Sequence, residues 1–460
     1  MPRQTAFYAG RFKKNLGNSA DLDRADARSF RRCAQPINRR GLEMAVMVEA
    51  EQTHAAPPLA PELANYTPAL NGNSRPEPLA ARIARVVAIA TADAVRVDTE
   101  ASFPQAAIDA VKAERLLGIQ IPREFGGEGA SISEVTELCY SLGRACSSTA
   151  MIVAMHQTKI ACLVRHGMGS PWHENLMRRV AAEQMLFASS TTEGNNGGNV
   201  RSSAAAVECT PEGITLIRDA TVISYGAQAD GVITIARRAN DAASSDQVLV
   251  AFTKEDYTLE RGQGWETLGM RGTCSTGFKL RATGIPEQVF PQTYDKIHSQ
   301  TMTPVAHLAW GSAWAGIAAA AVERAQAFTR KVARGMGGQL PPGAVHVTTA
   351  KMSLNRLRSI ITATADAYER HQNDASALSG LAFQSSINLL KVDASELAVA
   401  TVMSAMRACG LAGYRNDGDF TIGRLLRDVL SSPVMIHNDR ILANIGTATL
   451  MGGVPAGLRD

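Results

Sequence analysis

Along this chain the spacing of apolar residues changes twice, from steps of three and four to steps of two and back again. Each change predicts a change of secondary structure. From Pro76, EPLAARIARVVAIATADAV and FPQAAIDAVKAERLLG place apolar residues at helical spacing. IPREFGGEGAS interrupts them, because Pro122 and Gly126-Gly127 break a helix and favour a loop. SISEVTELCYSLGRACSSTAMIVAMHQTKIACLVRHG then predicts two more helices. Ser131 is the candidate N-cap, and Glu134, three residues on, completes a capping box.

After Met185 the period becomes two. AAAVECTPEGITLIRDATVIS predicts a hairpin turned at Pro211-Glu212-Gly213, and DGVITIARR, SDQVLVAFT, YTLERG and FKLRATGI predict further strands. Their length and spacing suggest a small antiparallel barrel or sandwich. Helical periodicity returns near Thr301, with candidate helices 302–334, 344–373, 376–408, 419–429 and 433–450. Three long antiparallel helices and a closing one make a four-helix bundle. The expected fold class is therefore α+β: an N-terminal α-helical domain (76–185), a middle antiparallel β-barrel domain (186–296) and a C-terminal four-helix bundle (297–460). PVAHLAWGSAWAGIAAAAV (304–322) is long enough to raise the question of a membrane span. It contains His307 and Ser312 and runs directly into VERAQAFTRKVAR, so a buried bundle helix accounts for it better.

Charge changes the picture only at the N-terminus. Residues 1–43 hold ten Lys/Arg against four Asp/Glu, a balance of +6, while the whole chain carries +4. The body is thus slightly acidic, which gives no support for nucleic-acid binding. Residues 1–75 show no sustained period and are expected to be a disordered basic and polar tail. Met44 and Met47 are plausible alternative starts, and a basic arm is the functional alternative. Cys33, Cys139, Cys146, Cys162, Cys209, Cys274 and Cys409 form no CxxC pair and no cluster with histidines. The scatter favours reduced thiols in a cytoplasmic protein and offers no metal site.

Three strings then carry chemistry: LFASSTTEGNNGGNVRSS, ATVISYGAQAD and LGMRGTCSTGFKLRATGIPEQVF. Together with IPREFGGEGAS and CSSTAM, in this order and spacing, they resemble the acyl-CoA dehydrogenase flavoprotein superfamily over roughly 76–450. The resemblance implies FAD, or FMN if the chain lies on the flavin-dependent monooxygenase branch. It places Thr191 and Thr192 along the flavin edge and Ile223 and Ser224 near N5, with Ser224 where a threonine is usual. Val222 stands where many members have a tryptophan. Arg271, Thr273 and Ser275 resemble a segment near flavin and substrate. Arg330 or Arg334, with Gly410 and Gly413, would reach FAD in a neighbouring subunit of a homodimer or homotetramer. Arg427-Asp428 matches an Arg-Asp pair, readable as a structural ion pair.

The implied activity is α,β-oxidation of an acyl thioester, with an electron-transfer or flavin-reductase partner. That reaction needs a base for the α-proton, usually a glutamate about eight residues after the Arg-Asp pair. The count lands on Ile436, beside His437; the alternative register on the first bundle helix lands on Ala306, beside His307. Neither is a carboxylate, and a general base contributes roughly 10²–10⁴ in rate. Three readings stay open: a base supplied by His437 or Asp439; a two-component flavin monooxygenase in which His156, His307 or His437 handles protons; or a non-catalytic flavin- or partner-binding protein.

Overall fold

The computed structural model describes residues 77–194, 199–451 and 457. The expected disordered tail and residues 195–198 of the glycine-rich loop lie outside them. Five helices open the described chain: α1 (Leu79–Thr99), α2 (Gln105–Ala113), α3 (Ile132–Ala145), α4 (Ser147–Gly167) and α5 (Pro171–Glu183). In α1 the buried residues Ile83, Val86, Ala90, Ala94 and Val97 recur at steps of three and four, so one stripe faces the core. Ser131 caps α3 as expected: its hydroxyl accepts from Glu134 N while the Glu134 carboxylate accepts from Ser131 N.

Seven strands follow: β1 (Phe187–Ser190), β2 (Val207–Thr210), β3 (Gly213–Ile223), β4 (Gly231–Arg237), β5 (Gln247–Thr253), β6 (Tyr257–Arg261) and β7 (Thr276–Gly284). The hairpin at Pro211-Glu212 is present, pairing Thr210 with Gly213. The expected antiparallel barrel is not. The strands form two separate sheets, β1-β4-β5 and β2-β3-β7-β6. The first is mixed, because β1 pairs parallel with β4. After β1 the chain crosses to build β2 and β3 in the other sheet before returning, and that crossover makes the pairing parallel.

Burial follows from this layering. In β3, Ile214, Leu216, Arg218 and Ala220 point inward while Ile217, Asp219 and Thr221 are exposed, as in a sheet with one wet face. β4 and β5 are buried on both faces. Val232, Val248, Val250 and Phe252 pack with Leu216 and Leu280 of the second sheet. Ile233, Ile235, Leu249 and Ala251 pack with Ile160 and Leu163 of α4 and Leu176 and Val180 of α5.

The remaining chain forms α6 (Thr303–Gly335), α7 (Ala344–His371), α8 (Leu381–Cys409), α9 (Gly423–Val429) and α10 (Asn438–Met451), close to the predicted helices. Gly380, extended at ψ 144°, starts α8 later than periodicity suggested. Every residue of α6 from Thr303 to Val322 is buried, so the apolar stretch is a bundle core helix, as expected. A helix surrounded on all sides needs small residues at its crossings. At the α3–α6 crossing a Cβ on Gly316 would lie 2.2 Å from Tyr140 O, and one on Gly143 2.3 Å from Ala313 O.

This crossing gives a prediction with a sign. Gly316→Ala should lower unfolding free energy by about 1–3 kcal/mol despite alanine's better helix propensity. Gly446→Ala, in α10 where an added Cβ meets nothing within 4 Å, should raise it by about 0.5–1 kcal/mol. Urea unfolding of the two variants checks both.

Candidate functional site

At the end of β3 the backbone is re-aimed. The register with β7 shifts between Ala220 and Ile223, and Tyr225 then takes a left-handed conformation with φ 44°. Tyr225 is locked in place: its N–H donates to Thr273 O at 2.8 Å, and its hydroxyl donates to Phe187 O at 3.1 Å. The turn therefore holds Ser224 against the 3-10 turn Arg271–Thr273. Ser224 Oγ lies 2.7 Å from Ser275 Oγ, and Ser275 Oγ lies 2.8 Å from Thr273 Oγ1. Thr273 also donates to Met270 O at 2.8 Å. Thr191 and Thr192 follow β1, half-buried, with Thr192 Oγ1 donating to Val222 O at the long distance of 3.5 Å. The seven flavin- and substrate-edge candidates thus lie on three adjoining segments, and hydrogen bonds link Ser224, Ser275 and Thr273 directly.

The turn itself is fixed from two other parts of the chain. Met270 and Cys274 bracket it in left-handed conformations, φ 54° and 46°. Such strain in non-glycine residues persists only where surroundings over-determine it. Met270 N donates to the buried Asp428 carboxylate of α9 at 2.7 Å. Arg427 forms a two-pronged pair with Asp98 of α1 and donates to Leu268 O. Arg427 and Asp428 are therefore not an ion pair with each other; each ties α9 to a different element. Gly272 is forced by crowding, since a Cβ there would lie 2.2 Å from Val97 and 3.0 Å from Ser148 Oγ. Arg271 Nε donates to Asp98 O at the end of α1 at 2.9 Å, while another of its guanidinium nitrogens faces Thr267 O and the Glu266 carboxylate.

Glu193, which sequence reasoning passed over, closes the base of the glycine-rich loop. Its carboxylate accepts from Ala204 N at 2.7 Å and Ala205 N at 3.1 Å and pairs with Arg218 at 2.9 Å. Arg218 is 1% exposed, between the sheets, and burial lowers its pKa to about 10 against the opposing pull of Glu193. The signal was present: an arginine in the inward row of an alternating strand requires an acidic partner.

The histidine candidates separate. His156 is sealed; Nδ1 accepts from Phe187 N at 3.0 Å, so Nε2 carries the hydrogen and donates to Leu117 O at 2.9 Å. It staples α4 to β1. His307 Nδ1 bonds to Ile387 O at 2.9 Å, deep in the bundle. His437 is exposed, and it and Ile436 have φ of 50° and 60°, a left-handed pair that is costly for a β-branched residue. Asp439, also exposed, begins α10. Below this turn Lys391, fully buried, donates to Ser432 O at 3.0 Å and Asn438 Oδ1 at 2.7 Å. Asn438 in turn donates to Ser395 and Glu396. Burial lowers the Lys391 ammonium to about 8. This clamp, also unread in the sequence, holds both ends of the strained turn.

Arg330 and Arg334 are exposed near the end of α6, roughly 35–40 Å along its axis from His307. The turn containing Gly410 and Gly413 packs there too. Ile422 N donates to Gly413 O, Arg324 donates to Thr421 O at 2.5 Å, and Phe328 meets Phe420. One chain therefore gathers these four residues at one end of the bundle, next to where α9 begins. The hydroxyl row of Ser224, Ser275 and Thr273 suits a polar-edged planar group, and Ser190 Oγ, at the end of β1 next to Thr191, is buried without a partner.

Residues 78–172 match the family model described as acyl-CoA dehydrogenase, N-terminal domain, and residues 299–450 match acyl-CoA dehydrogenase, C-terminal domain. A curated relative, "Acyl-CoA dehydrogenase" of Bacillus subtilis, is 23% identical, covering 76% of this chain and 91% of its own length. "Amino sugar nitrososynthase DnmZ" of Streptomyces peucetius is 25% identical, covering 74% and 84%. Among solved structures, FMN-bound TdsC from Paenibacillus sp. A11-2 superposes with a TM-score of 0.68 at 18% identity, covering 82% of this chain and 98% of that one.

Two outcomes follow from this geometry. Glu193→Ala, by leaving Arg218 buried without its carboxylate, should cost about 3–5 kcal/mol in urea unfolding. The second concerns pH. Burial lowers His156, His166, His173 and His307 to about 4, from 6.5. Between pH 6.5 and 4 the unfolded chain binds protons that the folded chain refuses. The histidines' contribution to stability should be complete above pH 6.5 and fall steadily towards pH 4. His156→Gln should flatten part of that slope.

Proposed function

This chain belongs to the acyl-CoA dehydrogenase family, and from that premise we propose that it is a flavin-dependent oxidoreductase that uses reduced flavin and molecular oxygen on a small organic substrate. The observation that carries this reading is the turn at Ile436–His437. Removal of an α-proton from a thioester requires a base at that place, and the alkyl side chain of Ile436 cannot accept a proton. An imidazole can both take and give one near neutral pH. The turn is strained and clamped by Lys391 and Asn438, which is expected of a segment holding a working side chain rather than of an idle loop.

The flavin, when bound, supplies two-electron transfer and, once reduced, reactivity towards oxygen. The chain supplies the rest. Thr191, Thr192 and Ser224 offer polar contacts to its edge, and Val222 leaves more space against its face than a tryptophan would. His437 holds the proton that an oxygen-transfer reaction consumes. A flavin reductase is the matching partner. Arg330, Arg334, Gly410 and Gly413, gathered at one end of the bundle, would serve a second copy of the chain. FMN suits the reading if they take no part, and FAD if they hold its pyrophosphate.

The second reading is oxidation of an acyl thioester with transfer of electrons to a carrier protein. It is supported by the relatives named acyl-CoA dehydrogenase, and Asp439 or His437 would then act as base.

Anaerobic spectroscopy separates the two. The protein should bind reduced FMN or FAD more tightly than the oxidised form, slow its reoxidation relative to free flavin, and show no bleaching with a panel of acyl-CoA thioesters. Bleaching by any thioester would establish the second reading instead. Once a substrate is found, His437→Ala should lower product formation by roughly 10²–10⁴ and divert oxygen to hydrogen peroxide.

A further inference from the structure

Ser224, Ser275 and Thr273 form an unbranched row of three hydroxyls, 2.7 and 2.8 Å apart, that ends at Met270 O. Each hydroxyl has one hydrogen, so the row admits two complete orders. In the first, Thr273 donates to Met270 O, Ser275 to Thr273, and Ser224 to Ser275; Ser224 then offers only lone pairs outward. In the second, Thr273 donates to Ser275, Ser275 to Ser224, and Ser224 donates outward. The terminus makes the exchange inexpensive. Met270 O already accepts from Trp265 Nε1 at 3.0 Å and from Thr273 N at 3.1 Å, so it stays satisfied when the Thr273 hydroxyl turns away. Thr273 and Ser275 are 2% and 5% exposed, so water does not replace a missing member, whereas Ser224 is only half-buried and can reach a bound group.

We propose that this row is a two-state hydroxyl relay that lets Ser224 act as donor to an oxidised ligand atom and as acceptor from the same atom once reduction has placed a hydrogen on it. The inference rests on the flavin reading above, with Ser224 facing N5. That nitrogen accepts a hydrogen bond in the oxidised ring and donates one after two-electron reduction. The exchange is a rotation of three hydroxyl groups. No proton leaves the row, no bond to hydrogen breaks, and the protein's charge is unchanged. Thr273 and Ser275 are positioning residues: they touch no ligand and act through Ser224.

The relay has a polarity that substitution can expose. In Thr273→Val the acceptor at the far end is gone, so the only place for the Ser275 hydrogen is Ser224. Ser224 is then locked as a donor. Ser275→Ala removes one partner from both orders and has no preference between them.

The test titrates oxidised and chemically reduced FMN and FAD, without oxygen, into wild type and variants. Thr273→Val should weaken reduced flavin roughly five- to tenfold, the loss of one hydrogen bond. Oxidised flavin should stay within about twofold of wild type. A tenfold change in that ratio lowers the two-electron midpoint potential by about 30 mV. Thr273→Ser should restore the wild-type ratio, and Ser275→Ala should weaken both forms alike. Parallel changes in both forms with Thr273→Val, or no recovery with Thr273→Ser, would overturn the relay while leaving the flavin reading intact. Wild type that binds neither form would sink that reading, and the relay with it.

Discussion

The hydrogen bond from Met270 N to the Asp428 carboxylate is the contact on which the candidate site depends. It joins the turn that carries Thr273 and Ser275 to α9, and α9 leads directly into the strained turn at Ile436–His437. Arg427, one residue earlier, joins the same helix to α1 through Asp98. The approach is close enough that a Cβ on Gly269 would lie 2.2 Å from Arg427 O. Two consecutive charged residues on a short helix thus bring the N-terminal helices, the strands and the bundle to one place. Asp428 is 3% exposed, and burial pushes its carboxyl up. Arg424, the Met270 N–H and Ser147 oppose that shift. An unpartnered carboxylate would not be tolerated there, so the contact is obligatory for the fold as well as for the site.

Three polar groups in this protein's interior hold backbone from other elements. Glu193 closes the base of the glycine-rich loop, His156 joins the middle of α4 to the start of β1, and Lys391 holds the carbonyl before the His437 turn. Glu193 and Lys391 reach from or into segments where the chain departs from regular structure.

Much of this was legible before any coordinates. Capping by Ser131, the turn at Pro211-Glu212, the all-round burial of α6 and the helix order of the bundle follow from local rules. Those rules act over a few residues: hydrogen-bond capping, turn chemistry and apolar period. The grouping of Thr192, Ile223, Ser224, Thr273 and Ser275 was also readable, though only through resemblance, because 81 residues separate Thr192 from Thr273 and no periodicity links them. The barrel was misjudged for a related reason. Alternation says that a strand has two faces, but not which strand lies beside it. The parallel pairing of β1 with β4 depends on a crossover that no local pattern records.

By itself, then, the sequence determined the order and kind of most elements, which faces are apolar, and that the position expected to hold a carboxylate holds Ile436 beside His437. Those are properties of near neighbours and of residue identity. Only the tertiary structure decided that Arg427 and Asp428 serve different partners, that His156 is committed to backbone, that Arg271 reaches Asp98 O, and that two hydroxyls line up behind Ser224. Each of these is a hydrogen bond between distant segments. Its existence depends on distances of a few tenths of an ångström that packing sets and spacing along a chain does not.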